Sequence, residues 1–131
     1  MIIYICSSAS NLEAIRALRD ELVLAGHTVP DWTPFLPEPG PYFNMRKDHD
    51  PDGKIFAFCS QACGSSDLVI YLGPSGQDAG VELGIAETAG VPIWGIIGRG
   101  EAPGLMVKGC VDKWFTDTDH LFLALTRWRG W

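Results

Sequence analysis

Between Asp67 and Ala89 the chain passes from an apolar run into a glycine-rich turn and then into helical spacing. The run Asp67 to Leu72 reads as a buried strand, and Gly73-Pro74-Ser75-Gly76-Gln77-Asp78-Ala79-Gly80 leads from it into a helix. That order constrains the chain to an α/β architecture, and in an open α/β sheet ligands bind at such strand-to-helix turns. Glu82 is the odd member of the segment. Counting by threes and fours from it reaches Ile85, Ala86 and Ala89, an apolar face, whereas Glu87 lies round toward water. A carboxylate pointing inward costs free energy unless something pairs or uses it, so Glu82 is the first candidate for chemistry. A first-turn glutamate also favours the helix dipole, and stabilising a helix end is a sufficient role for many such residues. The turn is neither a Walker loop nor a G-x-G-x-x-G fingerprint, because its glycines are spaced differently and no Lys-Ser/Thr follows.

The rest of the chain alternates in the same way. Ile2 to Cys6 is a β-branched run and reads as a central strand. A polar turn, Ser7 to Asn11, precedes a helix with Leu12, Ile15, Leu18, Leu22 and Ala25 on one face. Ser10 and Glu13 have the spacing of a capping box, and Gly26 supplies the stop. His27 to Trp32 is a second strand. Residues 33–53 hold five prolines (34, 37, 39, 41, 51) and many charges, so regular structure is not expected. The aromatics Trp32, Phe35, Tyr42 and Phe43 argue against disorder there, and a lid or wall over a pocket is the expectation. Lys54 to Gly64 reads as a helix, and the helix carrying Glu82 ends at Gly90. Val91 to Ile97 is a further strand, 98–109 a loop, Asp112 to Phe115 a short edge strand, and Thr118 to Trp128 a last helix. The predicted fold is a doubly wound, flavodoxin-like or Rossmann-like α/β domain spanning 1–131. Its five strands, mostly parallel, take the order 2-1-3-4-5 with helices on both faces. The turns after strands one and three then face each other across a crevice.

One domain suits 131 residues, and 47% apolar with 20% charged residues suits a folded core. A net charge of −6 argues against nucleic acid or an anionic membrane as partner. No apolar run approaches membrane-spanning length, and the N-terminal segment reads as a strand rather than a signal peptide, so a cytoplasmic location is expected. Cys6, Cys59, Cys63 and Cys110 form no disulfide framework or C-x-x-C motif and are expected to be reduced.

Several motifs together resemble the nucleoside 2-deoxyribosyltransferase-like family, which includes deoxynucleoside 5′-phosphate N-hydrolases. They are the Ile-Tyr strand, the helix ending Ala-Gly-His-x-Val, Ser66-Asp67-Leu68-Val69-Ile70, Ala89-Gly90-Val91-Pro92 and, most specifically, Gly80-Val81-Glu82-Leu83-Gly84-Ile85-Ala86. The resemblance covers nearly the whole chain in element order. It implies that Glu82 is a nucleophile that attacks the anomeric carbon of a deoxynucleoside, expels the base and leaves a glycosyl ester for water or a second base. A helix N-terminus favours the required anion, and two inversions give net retention. The resemblance also implies that Tyr4 hydrogen-bonds this carboxylate, that no metal or redox cofactor is required, and that a homo-oligomer completes the pocket. The family usually places an acid for the departing base near the position of Cys59, and an aspartate shortly before the nucleophile, where this chain has Gly76. Asp78 is the nearest acid; Asp48, Asp50 and Asp52 are alternatives. A non-catalytic nucleoside- or nucleotide-binding module of the same fold is the other reading, and a small flavodoxin-like signalling domain is a third.

Further candidates each have an ordinary reading beside the functional one. Cys6, Ser7 and Ser8 bind substrate or simply form the turn. Trp32 stacks on a base or packs. Ser75, Gly76 and Gly80 offer amides to sugar hydroxyls or a phosphate, with Arg46, Lys47 or Arg99 as cations for the latter. Asp67 is mainly structural, and His27 and His120 read as surface residues. Asp48-His49-Asp50-Pro51-Asp52-Gly53 imitates half a calcium loop but has Cys59 at the twelfth position, and Cys59, Cys63 and His49 lack a fourth zinc ligand. Trp128 and Trp131 are compatible with an interface.

Overall fold

In a computed structural model the described residues are 1–35, 50 and 52–128. The elements are β1 (Ile3–Cys6), α1 (Leu12–Leu24), α2 (Lys54–Ser65), β2 (Leu68–Leu72), α3 (Gln77–Thr88), β3 (Ile93–Ile96), α4 (Leu105–Cys110), β4 (Lys113–Phe115) and α5 (Thr118–Arg127), with short 3-10 turns at Ala9–Asn11 and Thr33–Phe35. The four strands pair in parallel in the order β1-β2-β3-β4, with Tyr4 opposite Val69, Ile70 opposite Trp94 and Gly95 opposite Trp114. β1, β2 and β3 are buried throughout, which is why they read as continuous apolar runs rather than alternating ones.

Alternate side chains feed two cores. Ile3, Ile5, Leu68, Ile70, Leu72, Trp94 and Ile96 pack under α1 and α5 with Ile15, Leu18, Leu22, Leu121 and Leu125. Tyr4, Cys6, Val69, Tyr71 and Ile93 pack on the other face under α2 and α3 with Cys63, Ala79, Leu83 and Ala86. Each fully buried aliphatic side chain contributes about 1.5–3 kcal/mol. The doubly wound α/β architecture is therefore present, with four strands among the described residues rather than five.

The missing strand has a specific cause. The segment 27–32 runs beside β1, but only Ile2 and Thr28 pair, through Ile3 N to Thr28 O at 2.8 Å and Thr28 N to Met1 O at 2.9 Å. Continuing that register requires residue 30 to donate to Ile3 O, and Pro30 has no N–H. Two residues on, Ile5 O accepts the Trp32 indole N–H at 2.9 Å instead of a backbone donor. Other boundaries also shift. The expected loop 98–109 contains α4. The capping serine is Ser8, which accepts Ser10 N at 3.3 Å; Ser10 is not the cap. Trp128 is partly buried and packs against Trp94 with ring centroids 5.4 Å apart, at the edge of the core. Gly90, just past α3, adopts φ +74°, a left-handed conformation that L side chains rarely adopt. Tyr42, Phe43, Arg46, Lys47, Asp48, His49, Pro51 and Trp131 lie outside the described residues. No helix among the described residues is long and apolar enough to cross a membrane.

Candidate active site

A cavity of about 630 Å³ opens at the C-terminal ends of β1 and β2. Its walls come from the turn after β1 (Ser7, Ser8, Ala9), the turn into α3 (Ser75, Gly76, Gln77, Asp78), α3 itself (Ala79, Val81, Glu82, Ile85), and α2 (Ile55, Phe56, Cys59, Ser60). Trp32, Phe35 and Asp50 complete it, so both described ends of the 33–53 stretch reach the cavity. The volume is within the range that holds a nucleoside-sized ligand.

Glu82 faces this cavity rather than the core. The buried stripe of α3 is Ala79, Leu83 and Ala86, and Ala89 is exposed. Asp78, Glu82 and Ile85, spaced by four and three, form the adjoining stripe on the cavity wall. Burial pushes the Glu82 carboxyl up to about 7; interaction with the Tyr4 hydroxyl pulls it down, and the nearby Asp78 charge adds to the rise. Tyr4 stands on β1 behind the cavity wall. Burial, and then the adjacent Glu82, push its hydroxyl far above the usual phenol range, so it is a neutral donor. Its hydroxyl also neighbours the Cys59 thiol, whose own pKa burial raises.

Five buried polar side-chain atoms lack a well-formed hydrogen bond among the described residues: Tyr4 Oη, Arg19 Nε, Ser75 Oγ, Glu82 Oε2 and Trp94 Nε1. Arg19 Nε faces Asp31 Oδ2 at 3.3 Å in an ion pair. Of the other four, Tyr4, Ser75 and Glu82 gather at the cavity. Buried polar atoms are almost always satisfied, so the concentration of such atoms here makes this cavity the candidate ligand site.

Other polar groups at the rim are already committed. Ser7 Oγ donates to Leu72 O at 2.5 Å, and Ser8 Oγ accepts Ser10 N and Ser10 Oγ. Asn11 Nδ2 donates to Pro74 O at 3.1 Å and ties the two turns together. Asp50 accepts Ile55 N and Phe56 N, both at 3.0 Å, and so closes the N-terminus of α2. Glu101, from the loop after β3, accepts Tyr71 Oη at 2.5 Å, Ser75 N at 2.9 Å and Gly98 N at 3.1 Å. The backbone packs so closely there that a Cβ on Gly73 would overlap the Glu101 carboxylate.

No protein-family model and no curated protein matches the chain by sequence. Among solved structures it is similar to a 2-deoxyribosyltransferase from Bacillus psychrosaccharolyticus, with TM-score 0.72 and 21% identity over 92% of this chain and 90% of that one. The chain has the 2-deoxyribosyltransferase fold. It is also similar to a Clostridium botulinum CMP N-glycosidase (TM-score 0.63, 16% identity, 96% and 99% covered) and to a conserved protein from Enterococcus faecalis (TM-score 0.71, 13% identity, 97% and 98% covered).

On this fold Ser7, Ser8, Trp32, Ser75, Gly76, Asp78 and Glu82 share one cavity, with Tyr4 directly behind Glu82. Cys6 and Gly80 are not among its described lining residues. Cys6 is buried and its thiol donates to Ala79 O at 3.3 Å. Asp67 accepts Ile2 N at 2.7 Å, a strand-end contact. Cys59 lines the cavity and Cys63 lies in the core below it; among the described residues no group of three metal-ligating side chains converges. The sequence reading did not place Ile55, Phe56, Val81 or Ile85 at the cavity, nor Glu101 at the turn that carries Ser75. The apolar four follow from helical spacing once α2 and α3 face each other, whereas no local signal marks Glu101.

Proposed function

We propose that this protein cleaves the N-glycosidic bond of a nucleoside or its 5′-phosphate, with Glu82 as nucleophile. The observation that carries this reading is a largely buried carboxyl at the cavity wall, beside a neutral tyrosine hydroxyl, with one oxygen left unsatisfied. An ionised Glu82 oxygen attacks C1′, the C–N bond breaks, and the base departs with the bonding pair and takes up a proton. Water, or a nitrogen of a second base, then attacks C1′ of the ester and the Glu82 carboxylate is regenerated. Tyr4 orients the carboxylate. The apolar wall of Trp32, Phe35, Ile55, Phe56 and Ile85 suits the faces of a base, and Trp32 is held by its bond to Ile5 O.

Asp78 is the proton donor in this reading. It lines the cavity one helical turn before Glu82, whereas Asp50 has both oxygens on α2 amides. The activities of the two similar proteins, a 2-deoxyribosyltransferase and a CMP N-glycosidase, support the bond type. The test mixes the protein with deoxynucleosides and a free base, and follows base release and exchanged nucleoside by chromatography. Release or exchange that vanishes in Glu82→Ala supports the mechanism; equal turnover by wild type and Glu82→Ala overturns it.

One observation favours a second reading, a binding module without turnover. The Cys59 thiol sits beside Tyr4 and Glu82, where the resemblance expects an acid. Stabilisation by nucleosides in a thermal-shift assay, with no base released, distinguishes this module from an enzyme.

A further inference from the structure

Three thiols lie around the Tyr4 and Glu82 pair, and two of them have committed their protons. Cys6 Sγ donates to Ala79 O and Cys63 Sγ to Ser60 O, both at 3.3 Å. Cys59, on α2 at the cavity wall, makes no such bond to a backbone carbonyl among the described residues. Its thiol adjoins the Tyr4 hydroxyl, and the same hydroxyl adjoins the Glu82 carboxyl.

A hydroxyl donates one proton and accepts through its lone pairs, a carboxylate only accepts, and a thiol is a weak donor. Tyr4 is fully buried, and its oxygen has no well-formed hydrogen bond among the described residues. An ionised Glu82 draws the Tyr4 proton into a charge-assisted bond, about twice as strong as a neutral one. The Tyr4 oxygen is then left as an acceptor, and the Cys59 S–H is the donor beside it. Burial keeps that thiol protonated at neutral pH. The other titratable groups facing the trio are Asp78 on α3, Asp50 ahead of α2, and the Cys6 and Cys63 thiols. No lysine or arginine lines the cavity among the described residues, so no cation competes with Tyr4 for the carboxylate there.

We propose that Cys59 is a positioning residue whose S–H donates to Tyr4 Oη and so commits the Tyr4 proton to the Glu82 carboxylate. The inference deepens the N-glycosidic reading and rests on it for its catalytic meaning. It gives the thiol a role distinct from protonating a departing base: Cys59 acts on the nucleophile, through one intervening hydroxyl. The reverse arrangement, with Tyr4 donating to the sulfur, leaves Glu82 without that proton and has consequences of opposite sign.

Cys59→Ser and Cys59→Ala carry side chains of nearly equal size, and only serine donates, so the contrast between them separates the hydrogen bond from packing. Ionisation of Glu82 is read in the full chain by isotope-edited NMR of the glutamate carboxyls, with Glu82→Gln identifying the signal, and by the rising limb of base release against pH. The midpoint in Cys59→Ser lies below that in Cys59→Ala by about half a pH unit or more, because a donor on the tyrosine oxygen favours the carboxylate. In a Tyr4→Phe background the two variants ionise Glu82 at the same pH, since Cys59 acts through the tyrosine. Coincident midpoints overturn the proposal. So does a higher midpoint in Cys59→Ser, which is the mark of the reverse arrangement, and so does a gap that survives Tyr4→Phe. NMR midpoints that separate as expected in a protein that releases no base leave the Cys59 arrangement standing and sink the N-glycosidic reading. Base release with coincident midpoints leaves that reading standing without the role for Cys59.

Discussion

Tyr4 on β1 and Glu82 on α3 meet behind one cavity wall, and neither Tyr4 Oη nor Glu82 Oε2 has a well-formed hydrogen bond elsewhere among the described residues. The pair sets when the carboxyl ionises. Burial holds it at about 7 against a usual value of 4.5, and the tyrosine hydroxyl opposes that rise. On the proposed mechanism the nucleophile must be the anion, so the rising limb of kcat/KM against pH has its midpoint at about 7. Tyr4→Phe removes the interaction that favours the anion, and the midpoint of the limb moves to higher pH. A pH–rate profile of both proteins checks this, and an unmoved midpoint refutes the coupling.

The same shift has a stability consequence of opposite sign. Between 4.5 and about 7 the folded state binds more protons at Glu82 than the unfolded state, so stability falls as pH rises through that window. Each pKa unit corresponds to about 1.4 kcal/mol, and the cost above the window is of order 3 kcal/mol. Glu82→Gln removes a charge that the fold pays to bury. It therefore raises Tm by several degrees at pH 8, changes it little at pH 4.5, and abolishes turnover. Thermal unfolding at the two pH values decides the matter: a variant that melts lower at pH 8 shows the glutamate to be structural.

How much of this was legible in the sequence depends on how local each signal is. The strands Ile3–Cys6 and Leu68–Leu72 and the end of α3 at Gly90 follow from β-branched runs and a glycine stop, and they stand where those features put them. The segment 27–32 misled because its apolar content is strand-like while one residue, Pro30, decides the pairing. On α3 the reading grouped Glu82 with Ile85, Ala86 and Ala89 on one apolar face, whereas Glu82 and Ile85 line the cavity and Ala89 is exposed. Alanine and glycine give a faint periodicity, and the buried stripe is Ala79, Leu83 and Ala86 rather than one containing Glu82. Glu101 was not legible at all. Its role depends on the loops after β2 and β3 closing on each other, a tertiary event with no local mark.

That closure supplies a further prediction. Gly73 has room for no side chain, since a Cβ would overlap Glu101 and lie 2.7 Å from the Gly98 nitrogen. Gly73→Ala must push the two loops apart, breaking the Glu101 bonds to Ser75 and Gly98. The expected loss is about 2 kcal/mol or more in urea unfolding. By contrast Gly84→Ala on α3 meets nothing within 4 Å and replaces a poor helix former, so it is stabilising by about 0.5–1 kcal/mol. A Gly73→Ala protein as stable as wild type contradicts the packing described for this turn.

On the proposed mechanism the cavity acids differ in function, and a comparison of Asp50→Ala with Asp78→Asn tests the division. Asp50 holds two amides of α2, so its removal costs about 1–2 kcal/mol of stability through loss of a helix cap. Its carboxylate is occupied, and turnover per folded molecule falls by less than with Asp78→Asn. Asp78 is exposed at the cavity rim and supports no described backbone amide, so Asp78→Asn leaves Tm nearly unchanged. On the proposed mechanism its removal affects the chemistry in two ways. Loss of a proton donor lowers kcat by about 10²–10⁴-fold for a base that leaves poorly, and by much less for a base that departs without protonation. Loss of its charge lets Glu82 ionise more easily, which shifts the pH–rate limb downward, opposite to the shift in Tyr4→Phe. Measuring kcat, Tm and the pH midpoint for both variants tests the division. A rate loss in Asp50→Ala that exceeds the loss in Asp78→Asn, with both proteins folded, transfers the acid role to the α2 cap.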